Sequence, residues 1–278
     1  SVEHRLLAKR AEWLRREKPV LRAYGPLLAD YDSLLLRAEQ APQQAAEAKA
    51  QSAENSVQRL RSERDDLARE RDSIEPESRA IIRRPDAGTN FLELYLENFP
   101  NSGDAAAIRY RLAEQYRLAD RADDAATHFD RLVRESWNAS DDDSLATWRA
   151  RSVASLRQVL PDTEELCTVE RILSDTPSDS VRTWAGARLQ EQAVSLDSLE
   201  LGSRFLQRYP ESSVAAAVSA RVEELAMKRY YQGRLYESLH RFQEALDEYN
   251  KLLLLAGRTQ AATLARQGIE RVQTLAGK

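Results

Sequence analysis

The sequence predicts an all-α protein, and three observations lead there. Ala, Leu, Arg and Glu dominate a chain of 278 residues that holds nine Gly and nine Pro. The dominant residues lose little entropy in a helix, while Gly and Pro are its main breakers. Leu7, Leu14, Leu21, Leu28 and Leu35 return every seven positions near the N-terminus, and no Val/Ile-rich alternating run offers a strand. Towards the C-terminus, small and aromatic residues recur in register: Gly233, Tyr236, Phe242, Ala245 and Tyr249, then Leu252 and Ala256. On two short helices with a turn near His240, that spacing sets each small side chain against an aromatic one.

From Val2 to Gln40 the apolar stripe is wide, with Leu6, Trp13, Val20, Leu27 and Leu34 beside the heptad leucines and Tyr24 and Tyr31 filling its other half. A stripe that broad suits packing against more than one helix. Pro19 and Gly25-Pro26 interrupt it, where a kink or restart is expected. Ala41-Pro42 makes a corner, and Gln43–Glu75 reads as a second long helix. Its apolar line is thin: Ala46, Ala53, Leu60, Leu67 and Ile74, with Arg64 and Arg71 between. Arg59/Glu63, Arg61/Asp65 and Asp65/Arg69 stand four apart, each pair worth a few tenths of a kcal/mol. Such a helix folds back on the first as an antiparallel hairpin or pairs with a copy in another chain, and both remain open. Residues 1–75 are therefore a helical rod or hairpin, 76–88 a linker marked by Pro76 and Arg83-Arg84-Pro85-Asp86-Ala87-Gly88, and 89–278 a solenoid of helix pairs.

The solenoid rests on two internal matches. Ala113, Tyr116, Ala122, Ala125 and Phe129 repeat the spacing of Gly233, Tyr236, Phe242, Ala245 and Tyr249 without a gap. Phe91–Ser102 likewise matches Phe205–Ser212: each has a helix, an aromatic-Pro stop and a Ser N-cap, followed by Ala105-Ala106-Ala107 or Ala215-Ala216-Ala217. Between the matches, Asp141–Ser144 caps a helix to about Leu160, and Pro161-Asp162 with Glu165 reads as a capping box for a helix to Asp175. Ser178 caps a helix to Ser195, Leu199–Arg208 is its short mate, and Thr259–Ala276 closes the stack as a capping helix.

The small/aromatic pattern resembles the tetratricopeptide (TPR) repeat, a helix–turn–helix unit of about 34 residues. The order of long helices followed by aromatic-Pro-x-Ser pairs is similar to bacterial envelope TPR proteins, of the Tol–Pal coordinator and outer-membrane assembly lipoprotein type. The resemblance covers Phe91–Glu135 and Ser203–Ala276. It implies a scaffold or adaptor that binds a protein or peptide in its groove, located in the periplasm or cell envelope, with the cytoplasm as the alternative. Groove-facing positions carried over from the family are Tyr110, Glu114 and Arg117 in the first match and Tyr230, Arg234 and Glu237 in the second. A homo-oligomer assembled through the N-terminal helices is the second reading, and an α/α-barrel enzyme the third.

Charge and composition narrow the field further. The net charge of −4, from 41 basic and 45 acidic residues, projects no field towards nucleic acid or an anionic membrane. The Arg59–Arg71 stretch carries four acids among five bases and no aromatic, and reads as a solvated face. Only six of the basic residues are Lys, which is read as the mark of a GC-rich genome. His4, His128 and His240 stand far apart, and Cys167 is the sole cysteine and reads as a small buried residue. Asp141-Asp142-Asp143 lacks the alternation of a calcium loop, and there is no Gly-rich phosphate loop. No catalytic residue, metal site or cofactor is therefore expected. No apolar run reaches the length of a membrane span. The chain opens on Ser1 without a signal peptide, suggesting a mature or trimmed fragment with any anchor upstream.

Overall fold

The computed structural model describes residues 24–40, 47–137 and 143–276. Among these it contains thirteen α-helices and no strand. The helices are α1 (Tyr24–Gln40), α2 (Glu47–Ser73), α3 (Glu75–Ile82), α4 (Thr89–Asn98), α5 (Ala105–Leu118), α6 (Ala122–Trp137) and α7 (Asp143–Val159). After a 3-10 turn at Leu160–Asp162 come α8 (Leu166–Asp175), α9 (Asp179–Ser195), α10 (Leu199–Arg208), α11 (Ala215–Ser238), α12 (Phe242–Ala256) and α13 (Gln260–Ala276). The expected features at Leu7, Leu14, Leu21, Trp13, Pro19 and Ala41-Pro42 lie outside the described residues. The chain divides into two compact units, Ser1–Tyr116 and Arg117–Lys278.

In the first unit, α2 folds back antiparallel on α1. The Tyr31 hydroxyl donates to Glu63 at 3.1 Å, Arg64 pairs with Asp32 at 3.0 Å and Arg61 with Glu39 at 2.6 Å. Partners rising along one helix and falling along the other define the antiparallel register. Tyr24, Leu27, Leu28, Tyr31 and Leu34 are buried on α1, and the thin line of Leu60, Leu67 and Ile74 is buried opposite. Arg59 pairs with Glu63 at 3.0 Å as expected, but Arg61 reaches across the hairpin and Arg69 takes Asp66 instead of Asp65. For Arg61, an acid on the facing helix has displaced the partner one turn away. Gly25 stands in the first turn of the described part of α1. Its missing Cβ admits Glu97, since a Cβ there would sit 1.9 Å from the Glu97 carbonyl oxygen, and its N–H donates to Asn98 Oδ1 at 2.9 Å.

Residues 76–82 of the expected linker lie in α3. Pro76 falls in the first turn of α3, where a helix needs no N–H from it, and Ser78 and Ile82 are buried. The remaining stretch is held down by α5: the Arg111 guanidinium donates to the carbonyls of Ile82, Arg84 and Pro85, each at 2.7 Å, and Gln115 to that of Ala87 at 3.1 Å.

In the second unit the helices pack in neighbouring pairs: α6 on α7, α8 on α9, and α10, α11, α12 and α13 in succession. Each helix from α6 to α11 also touches the next but one. Stacking of that kind, in which every element meets only its close sequence neighbours, is consistent with an α-solenoid. Ser178 and Ser198 cap α9 and α10 by accepting from Val181 N and Leu201 N. The expected capping box at Pro161-Asp162 is replaced by the 3-10 turn, and α8 starts at Leu166 with no side-chain cap.

The two sequence matches recur as backbone geometry. Phe99 (φ −129, ψ 57) and Tyr209 (φ −131, ψ 61) end their helices in the same conformation, each N–H donating to the residue four back at 2.8 Å. Their rings stack alike, Tyr95 on Phe99 at 5.1 Å and Phe205 on Tyr209 at 5.6 Å. The helix after each stop then runs 14 residues in α5 and 24 in α11. Both end in a left-handed residue, Asp120 (φ 57) and His240 (φ 60). Ala113, Ala125, Gly233 and Ala245, the small residues of the pattern, are all buried.

Candidate functional site

The turns at Asp120 and His240 each open onto a depression, and the linings of the two correspond at three positions. The first, of about 570 Å³, is lined by Arg117, Asp120, Ala122, Asp162, Glu164 and Arg188 among others, with Gln158 and Val159 of α7 as one wall. The second, of about 370 Å³, is lined by Arg234, Glu237, Ser238, His240, Phe242 and Leu275. Arg117 and Glu237, Asp120 and His240, and Ala122 and Phe242 are each 120 positions apart. In both, the last turn of one helix, the left-handed residue and the opening of the next helix form the rim. The last turn of a third helix, α7 or α13, forms the far side.

The walls of the first depression are fixed by polar contacts that leave their charged groups at its edge. Asp123 at the start of α6 accepts from the N–H groups of Glu164 and Glu165 at 3.2 and 3.0 Å. Arg188 donates twice to the Thr163 carbonyl, at 3.2 and 2.9 Å, and Gln192 once, at 2.6 Å. Three acids (Asp120, Asp162, Glu164) and two guanidiniums (Arg117, Arg188) therefore share one rim.

The second depression sits on a buried anchor. The Tyr249 ring lies between two glycines: a Cβ on Gly233 would come within 2.5 Å of it and one on Gly268 within 2.7 Å. The Tyr249 hydroxyl donates to Glu237 at 2.9 Å, and Arg271 donates to the same carboxylate at 3.2 and 3.3 Å. Arg234 stands 3.5 Å away. Burial by itself would raise the Glu237 carboxyl, but the bonds from Arg271 and Tyr249 and the two guanidinium charges outweigh it and hold the group below its ordinary value. Burial, then the adjacent carboxylate, pushes the Tyr249 hydroxyl up.

The six groove positions fall out unevenly. Tyr110, Glu114 and Arg117 lie along one side of α5, all half-buried, and Arg117 lines the first depression. Tyr230 is half-buried, its ring 5.6 Å from Tyr231 and 5.9 Å from Tyr249. Arg234 and Glu237 both line the second depression, yet only Arg234 is substantially exposed, with 46% of its side chain accessible against 11% for Glu237. Glu237 is thus engaged within the chain. Sequence reasoning missed Asp120, Asp162, Glu164 and Arg188, and also Phe242 and Leu275 as rim residues. Aligning the two turns would have found Asp120 and Phe242, whereas Asp162, Glu164, Arg188 and Leu275 arrive from outside the small/aromatic segments. Cys167 is half-buried rather than fully buried. Among the described residues no group of three or more His, Cys, Asp and Glu is placed to hold a metal ion, and no helix is long and apolar enough to cross a membrane.

No protein-family model, curated protein or solved structure matches the chain.

Proposed function

We propose that this chain is a non-catalytic adaptor of TPR-like build, which holds a protein or peptide partner across its two equivalent depressions. One observation carries the reading: a rim built on the same left-handed turn occurs twice, each time with charged side chains of both signs. Rims of mixed charge beside aromatic and aliphatic side chains suit recognition of a polypeptide, which offers both kinds of group. The envelope setting belongs to this proposal through the resemblance to envelope TPR proteins. The homo-oligomer reading is less well supported, because Leu60, Leu67 and Ile74 face α1 of their own chain.

The test is selection of peptides from a random library on the intact chain, followed by hydrogen exchange with and without a selected peptide. Protection is expected at residues 117–122, 158–164 and 234–242. Arg234→Glu and Asp162→Lys should each weaken the selected peptide several-fold while the helical circular-dichroism signal is kept. Selected peptides that protect neither depression, or that ignore both substitutions, would overturn the proposal.

A further inference from the structure

The charge pattern of α7 differs from that of its neighbours. From Ser144 to Val159 it carries Arg149, Arg151 and Arg157 and no Asp or Glu. Several other exposed arginines of this unit pair with an acid one turn away, as in Arg121–Asp124, Arg131–Glu135, Arg182–Asp179 and Arg241–Glu244. Arg149 is occupied by the carbonyls of Ser136 and Trp137, each at 3.1 Å. Arg151 and Arg157 are exposed and make no ion pair among the described residues. Each lies over a tryptophan: Arg151 over Trp148 at 5.1 Å and Arg157 over Trp184 of α9 at 5.6 Å. A guanidinium held over an aromatic ring is attracted to it without using its N–H donors, which stay open to an incoming carboxylate.

The two arginines border the side of α7 turned away from its packing partners. Ser152, Ser155, Leu156 and Val159 are buried, and α6 and α9 cover that side. Thr147, Ala150, Ala154 and Gln158 recur at intervals of three and four on the opposite side, all exposed. Arg151 falls to one flank of this row and Arg157 to the other. The row ends at Gln158, which also lines the first depression.

We propose that this face of α7 docks an acidic helical segment of a protein partner, its carboxylates taken by Arg151 and Arg157. The inference rests on the adaptor reading and names the chemistry of the partner. Two features favour an acidic protein over nucleic acid. Only two unpaired guanidiniums are offered, too few for a phosphate track, and Asp162 and Glu164 at the end of the row would repel a continuing line of phosphates. A partner helix can instead place its carboxylates at the two arginines and end before those acids.

The probe is an alanine-based helical peptide of about 20 residues with Glu along one side, compared with its Gln isostere. The full chain is labelled with 5-fluorotryptophan, and the signals of Trp148 and Trp184 are assigned through Trp148→Phe and Trp184→Phe. The Glu peptide should move both signals and the Gln peptide neither. Raised salt should weaken binding, and R151E/R157E should weaken it at least about tenfold. The R151Q/R157Q variant should fall between the parent and R151E/R157E. Equal binding of the two peptides, unchanged binding by R151E/R157E, or displacement of the Glu peptide by a poly-dT strand would overturn the proposal. If library peptides protect the two depressions while the Glu peptide leaves both tryptophan signals in place, this inference falls and the adaptor reading stands.

Discussion

Gly233→Ala tests the anchor beneath the second depression. In an open helix interior the change stabilises by about 1 kcal/mol, because alanine loses less backbone entropy than glycine. At position 233 the new methyl would meet the Tyr249 ring at 2.5 and 2.8 Å. The ring is fully buried, its hydroxyl is bonded to Glu237, and Gly268 leaves it no space on the other side. It cannot swing aside, so overpacking of about 1–3 kcal/mol opposes the gain. Gly186→Ala on α9 supplies the control: its Cβ would meet only Leu173 Cδ1, at 3.7 Å, an ordinary contact. Both substitutions share the entropic gain, so they should differ by the overpacking cost, about 1–3 kcal/mol, with Gly186→Ala stabilising and Gly233→Ala neutral or destabilising. Urea unfolding followed by circular dichroism measures both. If Gly233→Ala raises the midpoint as much as Gly186→Ala does, the Tyr249 ring is not held between two glycines and the anchor is misassigned.

Three further outcomes can be measured in the same way. Burial raises the Asp130 carboxyl to about 6, against the opposing pull of Arg134 and Arg171. Between its unfolded value and that one the native state binds the extra proton, so this group's contribution to stability falls as pH rises from about 4 to about 6, by roughly 3 kcal/mol. Asp130→Asn should remove the slope, and its urea midpoint should gain on the parent steadily over that window. Glu237→Gln removes a carboxylate held below its ordinary value. The parent should thus exceed this variant in stability at neutral pH and lose the advantage as pH falls below the ordinary carboxylate range. Arg111→Lys keeps one charge but not the fork that meets the carbonyls of Ile82, Arg84 and Pro85, so it should cost about 1–2 kcal/mol and speed hydrogen exchange over residues 83–88.

The features legible in the sequence were those that recur. The helix from the Ser178 cap to Ser195 and the one ending at Arg208 before an aromatic-Pro stop came from local signals and stand where read. The buried set Leu60, Leu67 and Ile74 came from a seven-residue spacing. What stayed hidden depends on groups distant in sequence. Pro76 looked like a break because nothing local separates a proline that ends a helix from one that begins it. The rim of the first depression combines Arg117, Asp162 and Arg188 from separate helices, a grouping no spacing rule anticipates. Glu237 read as a groove residue from its place in the repeat, yet Arg271, 34 residues on, turns it inward.

The abundance of arginine over lysine has a structural explanation in addition to any genomic one. A fold of many short helices leaves four carbonyls unsatisfied at each C-terminus. The usual remedy is a left-handed glycine just past the end, but no glycine among the described residues has positive φ, and only Asp120 and His240 adopt that conformation. Guanidiniums from elsewhere in the fold take over at several helix ends and loops. Arg149 donates to the carbonyls of Ser136 and Trp137 at the end of α6, and Arg182 to that of Thr176 just past α8. Arg221 donates to that of Leu196 just past α9, and Arg266 to that of Gly257 just past α12. Each of these arginines belongs to a later helix than the end it satisfies, so the bond that closes one helix also fixes the next element against it. A lysine ammonium, a point donor on a flexible stem, could reach one such carbonyl but would not hold two at a set angle. Where a glycine cap would have satisfied the helix alone, the arginine also sets the register between neighbours, and the rims of both depressions depend on that register.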